Sequence, residues 1–189
     1  MVRLETARLI LRDHEPGDLE PYCEMESDQV YRAHQKVHPR EELERSFKNS
    51  ALPRKELGLL ATVLKGDGRY IGRMGLYPRR TEEGVIVPHE ATLAFYIARP
   101  YWGRGIATEA GRAFVEHGFR DLGLVKIHAG MNAANLASVR VIQKLGFKWV
   151  RSGGDATTIT AGGVRASTSD FLTVSGSTFT QVDNGVYIT

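Results

Sequence analysis

The chain is poor in several features that would otherwise decide its class. Its 189 residues include one cysteine, Cys23. One thiol cannot close an intramolecular disulfide, and it fits a reducing compartment. No apolar run nears the ~18 residues of a membrane span; Leu57–Leu64 covers eight. The opening MVRLETARL lacks the apolar stretch of a signal peptide. The expectation is a cytoplasmic protein that works away from the membrane. Charge of one sign is also scarce, with 25 Lys+Arg against 22 Asp+Glu and a net +3. Without a dense basic block, no nucleic-acid partner is expected. No Gly-Lys-Ser/Thr occurs, which excludes a Walker loop. No His/Cys/Asp/Glu set has paired-ligand spacing, so no metal is expected. No internal repeat is present.

One region lacks charge altogether more strongly. Residues 151–189 hold five charged residues, Arg151, Asp155, Arg165, Asp170 and Asp183, with 13 Ser/Thr and six Gly. The segment is atypical against the rest of the chain.

What is present reads as alternating strands and helices. Leu9-Ile10-Leu11 is a short strand. Pro16 stands where a helix begins, with Asp18 and Glu20 in its first turn. Pro39–Phe47 is a second helix, with Leu43 and Phe47 on one face. Leu57–Leu64, apolar on both faces, reads as a buried strand. Gly66-Asp67-Gly68 turns it into a second strand from Tyr70 to Leu76. Ala91, Leu93, Phe95 and Ile97 alternate with Thr92, Ala94 and Tyr96 as a third core strand. Ala107–Leu122 is the clearest helix, on the stripe Ala107, Ala110, Phe114, Gly118 and Leu122. Lys126–Met131 is a strand. Ser138, Val141, Ile142 and Leu145 mark another helix, closed by Gly146. Phe147–Val150 is again extended. Strands and helices in this mixed order indicate an α/β fold with parallel and antiparallel parts.

The stretch Leu93–Ala110, LAFYIARPYWGRGIATEA, carries the chemistry. A strand ends at Ile97, a loop with Gly103 and Gly105 follows, and a helix starts near Ile106. Glycines let the backbone turn tightly and approach a ligand. The first-turn amides of a helix lack intrahelical partners and lie at its positive end, which suits a phosphate. A dinucleotide fingerprint would need a third glycine where Thr108 stands, and an acidic residue about 20 positions on. An NAD-binding enzyme is therefore a poor reading, and an acyl-CoA loop a better one.

A second segment, Asn132–Phe147 (NAANLASVRVIQKLGF), supports that choice. Together the two segments resemble the GNAT superfamily of acetyl-CoA-dependent N-acetyltransferases, and within it the ribosomal-protein alanine acetyltransferase (RimJ/RimL) branch. The branch reads Trp-Gly-x-Gly-x-Ala-Thr-Glu-Ala, matched from Trp102 to Ala110. It then reads Asn-x-x-Ser and Lys-x-Gly-Phe, matched by Asn135, Ser138, Lys144, Gly146 and Phe147. The opening Glu5-Thr6-Ala7-Arg8-Leu9-Ile10-Leu11-Arg12 matches the branch's "ETxRLxLR". The resemblance covers about residues 4–150. Two departures stand out. Ile142 occupies the position where many superfamily members carry a Tyr general acid. Thr92 stands where the branch often has Glu, two residues after Glu90.

The resemblance implies a single GNAT domain over 1–189: a mixed central sheet of about six to seven strands, flanked by about four helices and splayed between strands 4 and 5. It implies acetyl-CoA as co-substrate and no metal. Backbone groups of Tyr96 and Ile97 would pair with the pantetheine arm, much as an added strand does. Trp102, Gly103, Arg104, Gly105, Ile106, Ala107 and Thr108 would hold the pyrophosphate, with Arg104 near a CoA phosphate. Asn135 would contact the pantetheine arm or cap its helix. Ser138 is expected to protonate the departing thiolate, or to serve as a first-turn helix residue. Glu90, with His89 as second choice, is expected to take the proton of the amine. His117 and His128 read as ordinary helix and strand residues. Phe114, Phe119, Leu122 and Phe147 read as core. Tyr31, Tyr77 and Trp102 are candidates to line the acceptor pocket.

The function so implied is acetyl transfer to a primary amine, a protein N-terminus or a small molecule, by direct attack in a ternary complex, in a monomer or homodimer. The alternative is a non-catalytic acyl-CoA-binding or protein-interaction module on the same fold. For 151–189, the fold calls for closing strands. Phe171–Val174 and Val186–Ile188 are β-prone, and Gly153-Gly154 and Gly162-Gly163 are expected turns.

Overall fold

The computed structural model describes residues 2–29, 38–50, 57–81, 83–131, 135–153, 169–175, 179–182 and 185–188. Tyr31, Gly154, Gly162 and Gly163 lie outside them. In chain order the elements are β1 (Leu4–Glu5), β2 (Leu9–Arg12), α1 (Leu19–Ser27), α2 (Arg40–Ser50), β3 (Gly58–Leu64), β4 (Tyr70–Arg80) and β5 (Ile86–Ile97). They continue with α3 (Ile106–Arg120), β6 (Lys126–Met131), α4 (Leu136–Lys144), β7 (Lys148–Gly153), β8 (Ser169–Ser175), β9 (Phe179–Val182) and β10 (Gly185–Ile188).

The main sheet runs β1-β2-β3-β4-β5-β6-β8-β7, and β9 pairs with β10 apart from it. β1 to β4 pair antiparallel in succession, as do β6 with β8 and β8 with β7. β5 and β6 pair parallel. The mixed α/β architecture is the one expected. Among the described residues the main sheet holds eight strands, counting the two-residue β1. β1 is too short to show alternation. β8, from the 151–189 segment where closing strands are expected, lies between β6 and β7.

Two compact units divide the chain. The first holds Met1–Leu76 and Ala94–Ala113, the second Tyr77–Leu93 and Phe114–Thr189. β4, β5 and α3 pass from one into the other.

In the first unit, one sheet face buries Ala61, Val63 and Tyr70 against Tyr22, Cys23 and Met25 of α1 and Leu43 and Phe47 of α2. Leu43 and Phe47 are four apart, which puts both on one helix face. Full burial of such side chains stabilises by roughly 1.5–3 kcal/mol each. β3 and β4 slip register between Thr62 and Val63, and Gly72 lies at that irregularity with φ 154°. A Cβ there would come within 2.2 Å of the Tyr96 carbonyl oxygen. Only glycine lets β4 lie so close to β5.

In the second unit, Ala91, Leu93, Ile127 and Ala129 are fully buried. They form the inward face of the β5–β6 pair. α4 starts and stops as its sequence suggests. The Asn135 side chain accepts from the Ser138 amide at 3.1 Å, an N-cap. At the other end, Gly146 has φ 83°. Its amide donates to the Gln143 carbonyl at 3.0 Å, and the Phe147 amide donates to Ile142 at 3.2 Å. That pair of bonds is a Schellman closure.

Other boundaries moved. β5 begins at Ile86, so His89 and Glu90 lie inside it instead of at its entry. α3 ends at Arg120, leaving Leu122 beyond the helix. Phe114 and Phe147 are core, while Phe119 and Leu122 are only half-buried. Gly153 closes β7 and is no turn. Phe171–Val174 falls within β8 and Val186–Ile188 within β10.

Candidate functional site

The loop after β5 is shaped by three local devices. A 3-10 turn at Arg99–Tyr101 follows the strand. Trp102 folds back, and its indole N–H donates to the Ile97 carbonyl at 2.6 Å. Gly103 and Gly105 then adopt φ of 72° and 74°, a conformation that costs side-chain-bearing residues about 1 kcal/mol or more. The Glu109 amide makes the bond to the Gly105 carbonyl, at 3.0 Å, that opens α3. The amides of Ile106, Ala107 and Thr108 therefore precede the intrahelical ladder at the positive end of a 15-residue helix. Arg104 lies 5.7 Å over the ring of Tyr101, and it is exposed.

The opening of the chain holds this loop from one side. Glu109 accepts from Thr6 Oγ1 at 2.5 Å, from the Arg8 amide at 2.9 Å and from Arg8 Nε at 2.6 Å. Arg8 Nη1 also donates to the Arg104 carbonyl at 3.0 Å. Thr6 is itself fixed, because its hydroxyl accepts from the Leu9 amide at 3.0 Å. Burial favours the protonated Glu109 carboxyl, but the bonds from Thr6 and Arg8 outweigh it, and the group sits below the usual carboxylate range. Two motifs a hundred residues apart in sequence thus make one clamp. Sequence reading found both and missed that they meet.

Backbone direction along β5 decides which residues can meet a ligand. The Ala98 amide donates to Ile71 of β4 at 2.9 Å, and the Tyr96 carbonyl lies toward Gly72. Alternation turns the backbone groups of Phe95 and Ile97 to the opposite edge. The β5–β6 register covers Glu90↔Lys126 to Leu93↔Ala129. Expectation had placed Tyr96 and Ile97 in this role; the residues of the outward edge are Phe95 and Ile97, with the Ile97 carbonyl already accepting the Trp102 indole. The Tyr96 side chain instead lies under Arg73, at 4.5 Å. Tyr22 flanks the same guanidinium at 5.1 Å, and the buried Glu26 pairs with it at 2.9 Å.

The second unit presents a different cluster. Glu90 Oε2 and His128 Nε2 are 2.6 Å apart, and Lys126 Nζ lies 3.3 Å from Glu90 Oε1. The parallel register puts Glu90 beside Lys126 and Thr92 beside His128, so all four share the face opposite Ala91, Leu93, Ile127 and Ala129, and Thr92 is buried there too. Burial raises the Glu90 carboxyl, yet bonds from His128 and Lys126 prevail and keep it below its ordinary value. Burial lowers the His128 imidazole, and Glu90 offsets that only in part. His128, read as an ordinary strand residue, lies in β6 and pairs there with Glu90. His89 is exposed with φ 57°; its carbonyl accepts from the Val125 amide at 2.8 Å. His117 bonds Asp121 at 2.8 Å across one helical turn, as an ordinary helix residue does. Ser138 is half-buried in the first turn of α4. Tyr77 and Trp102 are both exposed. Among the described residues no three or more His, Cys, Asp or Glu gather as a metal site, and no helix is long and apolar enough to cross a membrane.

Comparison with known proteins adds a family. The acetyltransferase (GNAT) domain model matches residues 8–148. The uncharacterised protein YkkB of Bacillus subtilis (strain 168) is 31% identical over 88 residues, 47% of this chain and 49% of that one. This chain thus spans about half the length of that relative. The uncharacterised N-acetyltransferase p20 of Bacillus licheniformis is 25% identical over 153 residues, covering 78% of this chain and 83% of that protein. Among solved structures, a GNAT-family acetyltransferase from Bacillus anthracis superposes with a TM-score of 0.73 at 21% identity, over 92% of this chain and 98% of that one.

Proposed function

Since the chain belongs to the acetyltransferase (GNAT) domain family, we propose that it transfers an acetyl group from acetyl-CoA to a primary amine by direct attack in a ternary complex. The observation that carries this reading is the loop of the first unit: two left-handed glycines open α3, and the Thr6–Arg8–Glu109 clamp holds them. Such a loop fits a pyrophosphate, because amides aimed at one point bind phosphate oxygens and the helix dipole favours their charge. Gly103 leaves open space where a side chain would stand.

The roles follow from the residues. Amides from Gly103 to Thr108 take the pyrophosphate, and Arg104 a further CoA phosphate. The outward backbone edge at Phe95 and Ile97 pairs with the pantetheine amides as an added strand would. Asn135 keeps its capping bond, and its amide nitrogen serves the pantetheine arm. The Ser138 hydroxyl supplies a proton to the leaving thiolate. Glu90 serves removal of the amine proton. Residues 1–189 act as one acetyltransferase domain in the cytoplasm. The RimJ/RimL assignment, with a protein N-terminus or small-molecule amine as acceptor, rests on the motifs at Thr6–Arg12, Trp102–Ala110 and Asn135–Phe147.

The test is release of free CoA thiol from acetyl-CoA across a panel of amines, with acetyl-CoA affinity measured alongside. Release with at least one amine is expected. Tight CoA binding without release for any amine would make the chain a binding module instead.

A further inference from the structure

Arg8 has donors left over once the clamp is made. Its guanidinium is a planar fork whose N–H groups point in fixed directions. Two of its nitrogens serve the protein: Nε donates to Glu109 Oε2 at 2.6 Å, and Nη1 donates to the Arg104 carbonyl at 3.0 Å. Bonds to a helix residue and a loop residue fix the plane of the group. The remaining nitrogen, Nη2, has no acceptor among the described residues. It faces Gly105, where a Cβ would stand 3.7 Å from it. The room that this glycine leaves is therefore bounded by a cation and by the opening of α3. We infer that Arg8 is a direct ligand of the CoA pyrophosphate, its Nη2 donating to a phosphate oxygen seated against Gly105, a reading that rests on the acetyl-transfer function proposed above.

Electrostatics support the contact. A pyrophosphate at the α3 amides lies beside Glu109, an acidic residue in the first turn of the same helix, and like charges repel. That carboxylate is occupied by Thr6 Oγ1, the Arg8 amide and Arg8 Nε. Arg8 thus cancels the charge of Glu109, and Nη2 adds a charge-assisted bond of the kind arginine makes to phosphate. The Arg8 side chain is 48% exposed, so a ligand can reach it.

The arm that carries Arg8 is part of the sheet. The Lys65 amide donates to the Arg8 carbonyl at 2.9 Å, and Leu9 pairs with Leu64 of β3. A guanidinium held in place before the ligand arrives loses little freedom on binding, which favours affinity. Arg8, Arg104, Gly105 and Glu109 all belong to the first unit.

The test compares three acyl donors on the whole chain. They are acetyl-CoA, acetyl-dephospho-CoA, which keeps the pyrophosphate but not the 3′-phosphate, and S-acetylpantetheine, which has neither. Affinities are read by calorimetry or, for the weakest ligand, by NMR titration. Arg8→Gln should lose about 10- to 100-fold in affinity for acetyl-CoA and for acetyl-dephospho-CoA alike, and less than about threefold for S-acetylpantetheine. Arg8→Lys keeps a cation beside Glu109 without the fork. It should show the same order of losses at smaller size, and it carries the comparison if Arg8→Gln does not fold. No loss, or an equal loss for all three donors, would show that Arg8 only braces the loop and would overturn the contact. A loss confined to acetyl-CoA would move the contact to the 3′-phosphate and overturn it too. A wild-type chain that binds no acetyl-CoA overturns the acetyl-transfer reading and this inference with it. One that shows the expected pattern and acetylates no amine overturns only the acetyl-transfer reading.

Discussion

The phosphate-type loop of the first unit and the Glu90–His128 pair of the second are built in opposite ways. The loop is contiguous: Trp102 to Glu109 supply the staple, both left-handed glycines and the first turn of α3. Only its clamp comes from afar, through Thr6 and Arg8. The pair is made by strand register, from two residues 38 apart that no local pattern links. Chemistry written in consecutive residues announces itself as a motif. Chemistry made by pairing two strands leaves no mark until the register is known.

The largest expected effect sharpens the contrast between a buried imidazole with a carboxylate and one without. His14 in the first unit is buried against Phe47 and Tyr70, and among the described residues neither ring nitrogen has a hydrogen-bond partner of ordinary geometry. Burial, with smaller opposing charge effects, lowers its pKa to about 4. A base whose folded pKa is depressed takes up protons more readily when unfolded, so stability falls as pH drops from about 6.5 toward 4. Each unit of pKa shift is worth about 1.4 kcal/mol, so the loss should reach about 3 kcal/mol. Denaturant melts of wild type and His14→Phe across that range check it, and the variant should lack this component.

Next comes the clamp. Glu109→Ala removes the acceptor of Thr6 and Arg8 at a largely buried position, which should cost about 2 kcal/mol and weaken acetyl-CoA binding. Because the Glu109 pKa is depressed in the fold, its contribution is present above the ordinary carboxylate range and fades as pH falls through the lowered value. The stability gap between wild type and Glu109→Gln should close accordingly in acid. Equal acetyl-CoA affinity in Glu109→Ala and wild type would show that the loop needs no clamp.

Smaller still, Gly105→Ala places a Cβ at φ 74° and should cost about 1 kcal/mol in strain, read as a lowered Tm and a raised Kd for acetyl-CoA. Space is not the obstacle there, since the closest atom a Cβ would meet is Arg8 Nη2 at 3.7 Å. Last, Asn135→Ala should cost about 0.5–1 kcal/mol through the lost cap of α4. A larger fall in acetyl-CoA affinity than in stability would assign Asn135 to the ligand as well as to the cap.

Legibility tracked locality. The hairpin of β3 and β4, the Leu43–Phe47 face of α2, the Asn135 and Gly146 ends of α4, and the loop glycines are all decided within a few residues by turn chemistry, helical period and caps. Misreadings arose where distant groups decide. β5 looked as if it began at Ala91, because Val85 to Glu90 do not alternate cleanly; pairing extends the strand back to Ile86. Leu122 fitted the helical stripe, yet α3 stops two residues earlier. Tyr96 was offered as a backbone partner because the strand's facing was unknown; the Ala98 amide bonds Ile71 of β4, which leaves the backbone groups of Phe95 and Ile97 on the other edge.

The amino-acid sequence alone determined α4 with its caps, the glycine loop that opens α3, and each of the family motifs between Glu5 and Phe147, because each depends on residues close together in the chain. The tertiary structure alone decided that Arg8 and Thr6 grip Glu109, that His128 meets Glu90, and that β8 lies between β6 and β7. Those facts depend on strand order and register, which arise from burying whole faces at once and not from any single stretch of chain.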